Sequence, residues 1–118
     1  MTPKIRKPSP RVQPPKHLKP ATRAWFRAVV SDWELEDHHT RLLALAGGAW
    51  DRAEQAREVL ETAGIVVMTR FGEVKAHPAV AIERDARIAF ARLVRELDLD
   101  VNPPSSESRP PKLRSIED

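Results

Sequence analysis

The sequence contains no cysteine, which excludes a disulfide framework and any cysteine-ligated zinc site. Its four glycines form no phosphate-cradling loop, and no HExxH pattern is present. No apolar run approaches the length of a membrane span. The opening MTPKIRKPSPR lacks the apolar core of a signal peptide. A soluble, cytoplasmic protein is therefore the expectation. Acids are plentiful, but each falls on a polar helix face where solvation accounts for it, and no nucleophile constellation accompanies them. The expectation is a protein that is not an enzyme, with no catalytic residues, no metal site and no cofactor.

Proline is nearly missing from the centre and concentrated at the ends. Of 11 prolines, six lie in residues 1–20 and four in 103–111, leaving only Pro78 between. Proline fixes φ and removes a backbone donor, so neither end can be regular helix. The ends also offer little to bury against the entropy of ordering them. We read residues 1–18 as a flexible arm, 19–102 as a helical core and oligomerisation domain, and 103–118 as a flexible tail. A core of this size buries a modest share of its surface, and oligomerisation is a common remedy.

The charges divide along the same lines. Residues 1–20 hold six basic side chains and no acid, whereas residues 21–102 hold 11 basic and 14 acidic ones. The arm, with Lys4, Arg6, Lys7, Arg11, Lys16 and Lys19, can contact a phosphate backbone. It can equally be a solubilising tail, and the composition does not choose between the two.

Within the core, Lys19-Pro20 opens a first helix, since proline is tolerated in the first turn. Ala21, Ala24, Trp25, Ala28 and Val29 share one face at helical spacing. A long second helix follows from about Asp37 to Ala63, with Glu36 and Asp37 favourably placed at its positive end. Leu42, Leu45 or Ala46, Ala49, Ala53, Ala56 and Leu60 form a small-residue stripe with Trp50 beside it. Such a seam suits a helical hairpin or a subunit interface. Gly47-Gly48 marks a kink or close packing, and Gly64 is placed to end the helix as an αL residue.

The stretch GIVVMTRFGEVKAHPAV interrupts the helical pattern. Ile65 to Thr69 is short and β-branched, which favours a strand. Arg70-Phe71-Gly72-Glu73 supplies a turn, and Val74 to Ala76 pairs back, so a β-hairpin is expected over 65–76. Pro78 keeps His77 out of helical geometry and starts a third helix reaching about Leu97. Ala79, Ile82, Ala86, Ala89, Phe90, Leu93 and Leu97 form its apolar face. Arg84, Arg87, Arg92 and Arg95 lie on the opposite arc, either as a solvated face laced with ion pairs or as a surface for DNA or an acidic partner. His38 and His39 project about 100° apart on a helix, which argues against joint chelation. His77 is expected to anchor the junction of hairpin and helix by a hydrogen bond. The fold class is mainly α: a long helical hairpin-like core with a small β-hairpin between the second and third helices.

In order, the basic arm leading to PPKHLKPATRAWFR, the Ala-rich AWDRAEQAREVLETAG, the G-IVVMTRFGEVKAHP hairpin and AIERDARIAFARLVRELDLD resemble the phage terminase small subunits, of the type often encoded near HNH endonucleases. The resemblance covers residues 14–102. Asp98 stands where a glycine commonly ends the last helix, and the tail reads NPPSSESRPPKL rather than the small-residue sequence that often follows.

The resemblance implies a non-catalytic, ring-forming subunit in the cytoplasm of the infected bacterial host. Such a subunit recognises double-stranded viral DNA and regulates the large ATPase/nuclease subunit, without a membrane partner. On that reading the DNA contacts are Lys4, Arg6, Lys7, Arg11, Lys16 and Lys19, with Arg84, Arg87, Arg92 and Arg95. The oligomer interface is Leu42, Ala46, Ala49, Trp50, Ala53, Ala56 and Leu60. The turn at Trp33 to Glu36 is a poor DNA reader, because Asp32, Glu34, Glu36 and Asp37 would repel phosphates. Two other readings remain open: a dimeric helical DNA-binding transcriptional regulator, and a protein-only interaction adaptor.

Overall fold

The computed structural model describes residues 12–99. The expectations for Lys4, Arg6, Lys7 and Arg11, and for the tail at 103–118, lie outside the described residues. The chain is mainly helical, with α1 at Pro20–Asp32, α2 at Asp37–Ala63, β1 at Val66–Met68, β2 at Val74–Ala76 and α3 at Pro78–Leu97.

Helices α2 and α3 form the frame. The β-hairpin between them turns the chain so that α3 runs back along α2, and small side chains let the two approach closely. Ala46, Ala53 and Ala56 of α2 and Ala79 and Ala86 of α3 are all buried. The chain therefore covers with its own α3 three alanines expected at a subunit interface. Of the two roles that a small-residue seam can take, this part of the stripe takes the intramolecular one.

The larger apolar residues collect at the end where α1 joins. Leu18, Phe26, Val29, Leu43 and Leu97 form a buried cluster, with Leu42, Trp25 and Leu99 packed against it. Full burial contributes roughly 1.5–3 kcal/mol for each large apolar side chain. That term sets the rotation of α1: its buried face is Thr22, Phe26 and Val29, and Ala21, Ala24 and Ala28 are exposed. The alanine face expected from spacing is thus turned by about one residue, because burying Phe26 outweighs burying alanines. The expected arm also ends earlier. Pro14 and Leu18 are buried, so residues 12–18 pack on the core.

The start of α1 is held by α2. Its N-cap residue, Lys19, gives no capping side chain of its own. Asp51 supplies the carboxylate instead, accepting from the Lys19 backbone N–H at 2.8 Å and from the Thr22 hydroxyl at 2.5 Å. The negative charge sits at the positive end of the α1 dipole. Close approach is possible because residue 47 is glycine: a Cβ there would lie 3.1 Å from Leu18 Cδ1 and 3.1 Å from Thr22 Cγ2. Gly47 marks close packing, and α2 is continuous through it.

The hairpin pairs Val66 with Ala76, Val67 with Lys75 and Met68 with Val74 in antiparallel register. Thr69 closes the turn. Its backbone N–H donates to the Glu73 carbonyl, and its hydroxyl accepts from the Phe71 and Glu73 N–H groups. Gly72 has φ 85°. Gly64 also has φ 85° but ψ 168°, so it ends α2 in a glycine-only extended conformation rather than αL. His77 caps α3 through Nδ1, which accepts from the Ala79 N–H at 3.0 Å. At the other end Asp98 itself takes the αL position, with φ 55° and ψ 46°, a conformation that aspartate tolerates better than most residues.

Two stability measurements follow from this geometry. Gly72→Val forces a β-branched residue into positive φ, at a cost of about 1–3 kcal/mol. It should melt clearly below Glu73→Val in a thermal scan, and equal melting temperatures would put the strain elsewhere. Asp51→Ala leaves the Lys19 N–H and Thr22 hydroxyl without their charged acceptor, a loss of roughly 1–3 kcal/mol. For a domain of this size each kcal/mol corresponds to about 4–8 °C in Tm. An unchanged Tm for Asp51→Ala would remove the cap from the account of α1.

Candidate assembly and nucleic-acid interfaces

Of the six arm cations, Lys16 and Lys19 are described. Lys16 is exposed and its carbonyl accepts from Arg23 Nη1 at 3.1 Å. Lys19 Nζ lies 3.8 Å from Glu58 Oε2, so part of its charge is already answered within the chain. The four arginines of α3 fall into two pairs. Arg84 meets Asp85 at 3.1 Å and Arg87 meets Glu83 at 2.8 Å, which is the solvated, ion-paired face. Arg92 and Arg95 are exposed and make no ion pair among the described residues.

The oligomer stripe is distributed over different surroundings. Ala46, Ala53 and Ala56 are internal, and Leu42 packs against the chain's own core. Ala49 and Leu60 are half-buried, and Trp50 is exposed. Counting 3.6 residues per turn from the buried Ala46 and Ala86 places the remaining positions on two opposite sides of the α2–α3 hairpin. On one side Trp50 and Phe90 pack at a centroid distance of 5.1 Å, and Trp25 of α1 meets Phe90 at 6.0 Å. These three aromatics, with Ala21 and Thr22, line a recess of about 260 Å³. On the other side Leu45, Gly48, Ala49, Ile82, Ala86 and Ala89 line an open groove of about 890 Å³. The aromatic recess was not foreseen in the sequence, because it needs three helices to form.

Charge differs between the two sides. Asp51, Glu54, Glu58 and Glu61 follow the aromatic side of α2, where Arg57 bridges Glu54 and Glu61. The hydrogen bond to Glu54, then the charges of Glu54 and Glu61, raise the Arg57 guanidinium above its ordinary pKa. Arg41, Arg52 and Asp85 line the groove side, where Arg41 pairs with Asp37 and Arg52 makes no ion pair among the described residues, and Arg87 lies beside Trp50 and Phe90 on the other side. Among the described residues, the carboxylates meet arginines, a lysine, a histidine, a helix cap or solvent.

The hairpin presents a further surface. Its register puts Val66, Met68, Val74 and Ala76 on one face, and all four are exposed. Ile65 and Phe71 are exposed beside them. Two strands carrying apolar side chains in water are at most marginally stable alone.

His38 and His39 come together, contrary to the angular expectation. Their ring centroids lie 4.1 Å apart, and the ligand atoms of Glu36, His38 and His39 all fall within 4.8 Å of one another. The cause is a capping box: His39 Nδ1 bends back to accept from the Glu36 N–H at 3.1 Å. The cluster sits at the positive end of the α2 dipole, where a cation is disfavoured, and capping accounts for its geometry. No helix among the described residues is long and apolar enough to cross a membrane.

The order of elements and the hairpin closing on His77 reproduce the pattern seen in the sequence. Comparison with curated proteins and with solved structures returns no match. The family model described as "Phage terminase, small subunit" matches residues 18–113. That span takes in most of the chain, including all three helices and the hairpin, and the chain belongs to the phage terminase small subunit family.

Proposed function

We propose that this chain is the non-catalytic subunit of a viral DNA-packaging terminase, forming a ring that recognises viral DNA and regulates the large ATPase/nuclease subunit. Family membership over residues 18–113 is the observation that carries the reading. The surface is consistent with it. Asp51, Glu36, His39 and His77 serve caps, Glu54, Glu61, Glu83 and Asp85 meet arginines, and large apolar side chains remain exposed on both sides of the hairpin frame. Heterologous contacts between copies close into a ring when the rotation permits. In this reading Trp50, Ala49 and Leu60 retain surface for a neighbour, and the buried alanines support the interface from within.

DNA contact is assigned to Lys4, Arg6, Lys7, Arg11 and Lys16, with Arg92 and Arg95 as the α3 contribution. Lys19, Arg84 and Arg87 are weaker contributors because Glu58, Asp85 and Glu83 already meet them. Several arms acting on one duplex would add avidity to weak single contacts.

The test is a truncation placed by the fold. Deleting residues 2–11 removes four cations and spares Pro14 and Leu18, which the core requires. Each lost phosphate contact should flatten the slope of log affinity against log salt by about 0.9 for duplex DNA. We expect weaker binding and a flatter slope with the oligomer intact. Full affinity with an unchanged slope would move the DNA contact to Arg92 and Arg95, which Arg92→Glu with Arg95→Glu would then abolish.

A further inference from the structure

We infer that the aromatic recess is a seat for a polyproline segment, and that its occupant is this chain's own Asn102-Pro103-Pro104. Whether copies form a ring does not affect this assignment.

The recess has the chemistry that recognises proline. Trp25, Trp50 and Phe90 form its walls, with Ala21 and Thr22 beside them, and Trp50 is 46% exposed. Pro-rich segments dock in aromatic-lined grooves because the PPII helix is preformed and loses little entropy on binding. A cavity of roughly 150 Å³ can hold benzene. A pyrrolidine ring is smaller, so the recess of about 260 Å³ takes one with its flanking backbone. The indole N–H groups of Trp25 and Trp50 meet no acceptor among the described residues. A proline pair brings carbonyls to accept from them and no N–H that would need an acceptor of its own. Charge points the same way. Asp51 is met by Lys19 and Thr22, Glu54 by Arg57, and Arg87 by Glu83, so a neutral occupant fits and a charged one finds no open partner among them.

The chain's own end lies within reach. Asp98 takes αL geometry, which ends α3 and turns the chain. Leu99 then packs against the core cluster that Trp25 also borders. Phe90 precedes Leu97 by seven residues of α3, roughly 10 Å at 1.5 Å per residue. Residues 100–104, DVNPP, cover roughly 15 Å at the 3.1 Å rise of PPII. Pro103 and Pro104 can therefore reach the level of Phe90. The prolines of the N-terminal arm approach from elsewhere, since His17 of that segment lines the groove on the opposite side of the frame. A short tether gives an effective concentration in the millimolar range, so a contact too weak to hold a free peptide is filled in the intact chain.

Tryptophan fluorescence of the full-length chain tests this. The sequence has no cysteine and no tyrosine, so one introduced thiol can carry a nitroxide and the emission is that of tryptophan. Trp33 sits at the C-cap of α1, and Trp33→Phe leaves Trp25 and Trp50 as reporters. A nitroxide on Ser105→Cys should quench their emission about twofold or more against a diamagnetic label, because the tether holds the segment at its seat. Pro103→Ser with Pro104→Ser should restore the emission, whereas Pro110→Ser with Pro111→Ser should not. Ala21→Glu, which fills the recess, should restore it too, with a thermal melt to check that this variant folds. Excess unlabelled chain should leave the quenching unchanged. A label at Ser105→Cys that does not quench, or quenching that survives the loss of Pro103 and Pro104, would overturn the assignment. Quenching that fades with unlabelled chain would put the segment in another copy's recess, and quenching from Ser9→Cys instead would give the recess to the arm. Either result removes Pro103-Pro104 of the same copy as the occupant.

Discussion

Asp51 fixes where α1 begins, and most of the remaining geometry depends on that point. Its carboxylate accepts from the Lys19 N–H and the Thr22 hydroxyl, which ties the first turn of α1 to the middle of α2. Gly47, one turn earlier on α2, gives Leu18 and Thr22 the room to come that close. With this end anchored, the helical repeat carries Phe26 and Val29 over Leu43 and Leu97, and swings Trp25 towards Phe90. A side chain at position 47 would press on Leu18 and Thr22, and both the core cluster and the aromatic recess would be displaced. The segment before α1 thus belongs to the core: Leu18 fills the space that Gly47 leaves, and Arg23 donates to the Lys16 and Leu18 carbonyls to hold the turn.

The α2–α3 seam sets a second constraint. Closing it with Ala46, Ala53, Ala56, Ala79 and Ala86 brings the helices near each other, but alanine side chains bury little area apiece. The large apolar residues of these helices are consequently displaced to the flanks. Leu45, Trp50, Ile82 and Ile88 are all substantially exposed. A two-helix frame built this way gains a rigid, closely packed centre and presents apolar flanks to whatever comes next. Under the proposed ring reading, these same residues would be available for contact with a further copy.

How much of this was legible in the sequence depends on the range of the interaction concerned. Pro20, Gly72, His77 and Pro78 act within a few residues, and their roles could be read from local backbone rules. The hairpin and the starts of the first and third helices followed from them, and the limits of the second were legible from Glu36-Asp37 and Gly64. Asp51 could not be read, because its partners are 32 and 29 residues away, and an aspartate in mid-helix resembles any solvated acid. The rotation of α1 was misjudged for a related reason. Alanine gives a weak burial signal, and the competing face was decided by Leu18, Leu43 and Leu97, which only tertiary packing brings together. His38 and His39 show a local rule overridden by another local rule, since the capping box bends His39 away from its ideal helical direction. The aromatic recess needed three helices and had no signature in any one of them.

These constraints bear on which parts of such a chain are left for function. Its ordered polar groups are spent on structure: Asp51 and His77 on caps, Glu36 and His39 on a capping box, Arg57, Arg84 and Arg87 on ion pairs. What is left for function is surface, and it is of two kinds. Apolar surface lies on the two sides of the hairpin frame and on the Val66, Met68, Val74 and Ala76 face of the β-hairpin. Among the described residues, Arg52, Arg92 and Arg95 carry positive charge without an ion pair. Apolar contact falls off once the surfaces separate, whereas charge acts over about 8–10 Å at ordinary salt. The first therefore suits fixed contacts between proteins and the second a looser grip on a phosphate backbone. Under the proposed function, keeping the two on different parts of the chain would let assembly and DNA contact respond to different conditions, since salt weakens charged contacts while leaving apolar packing in place.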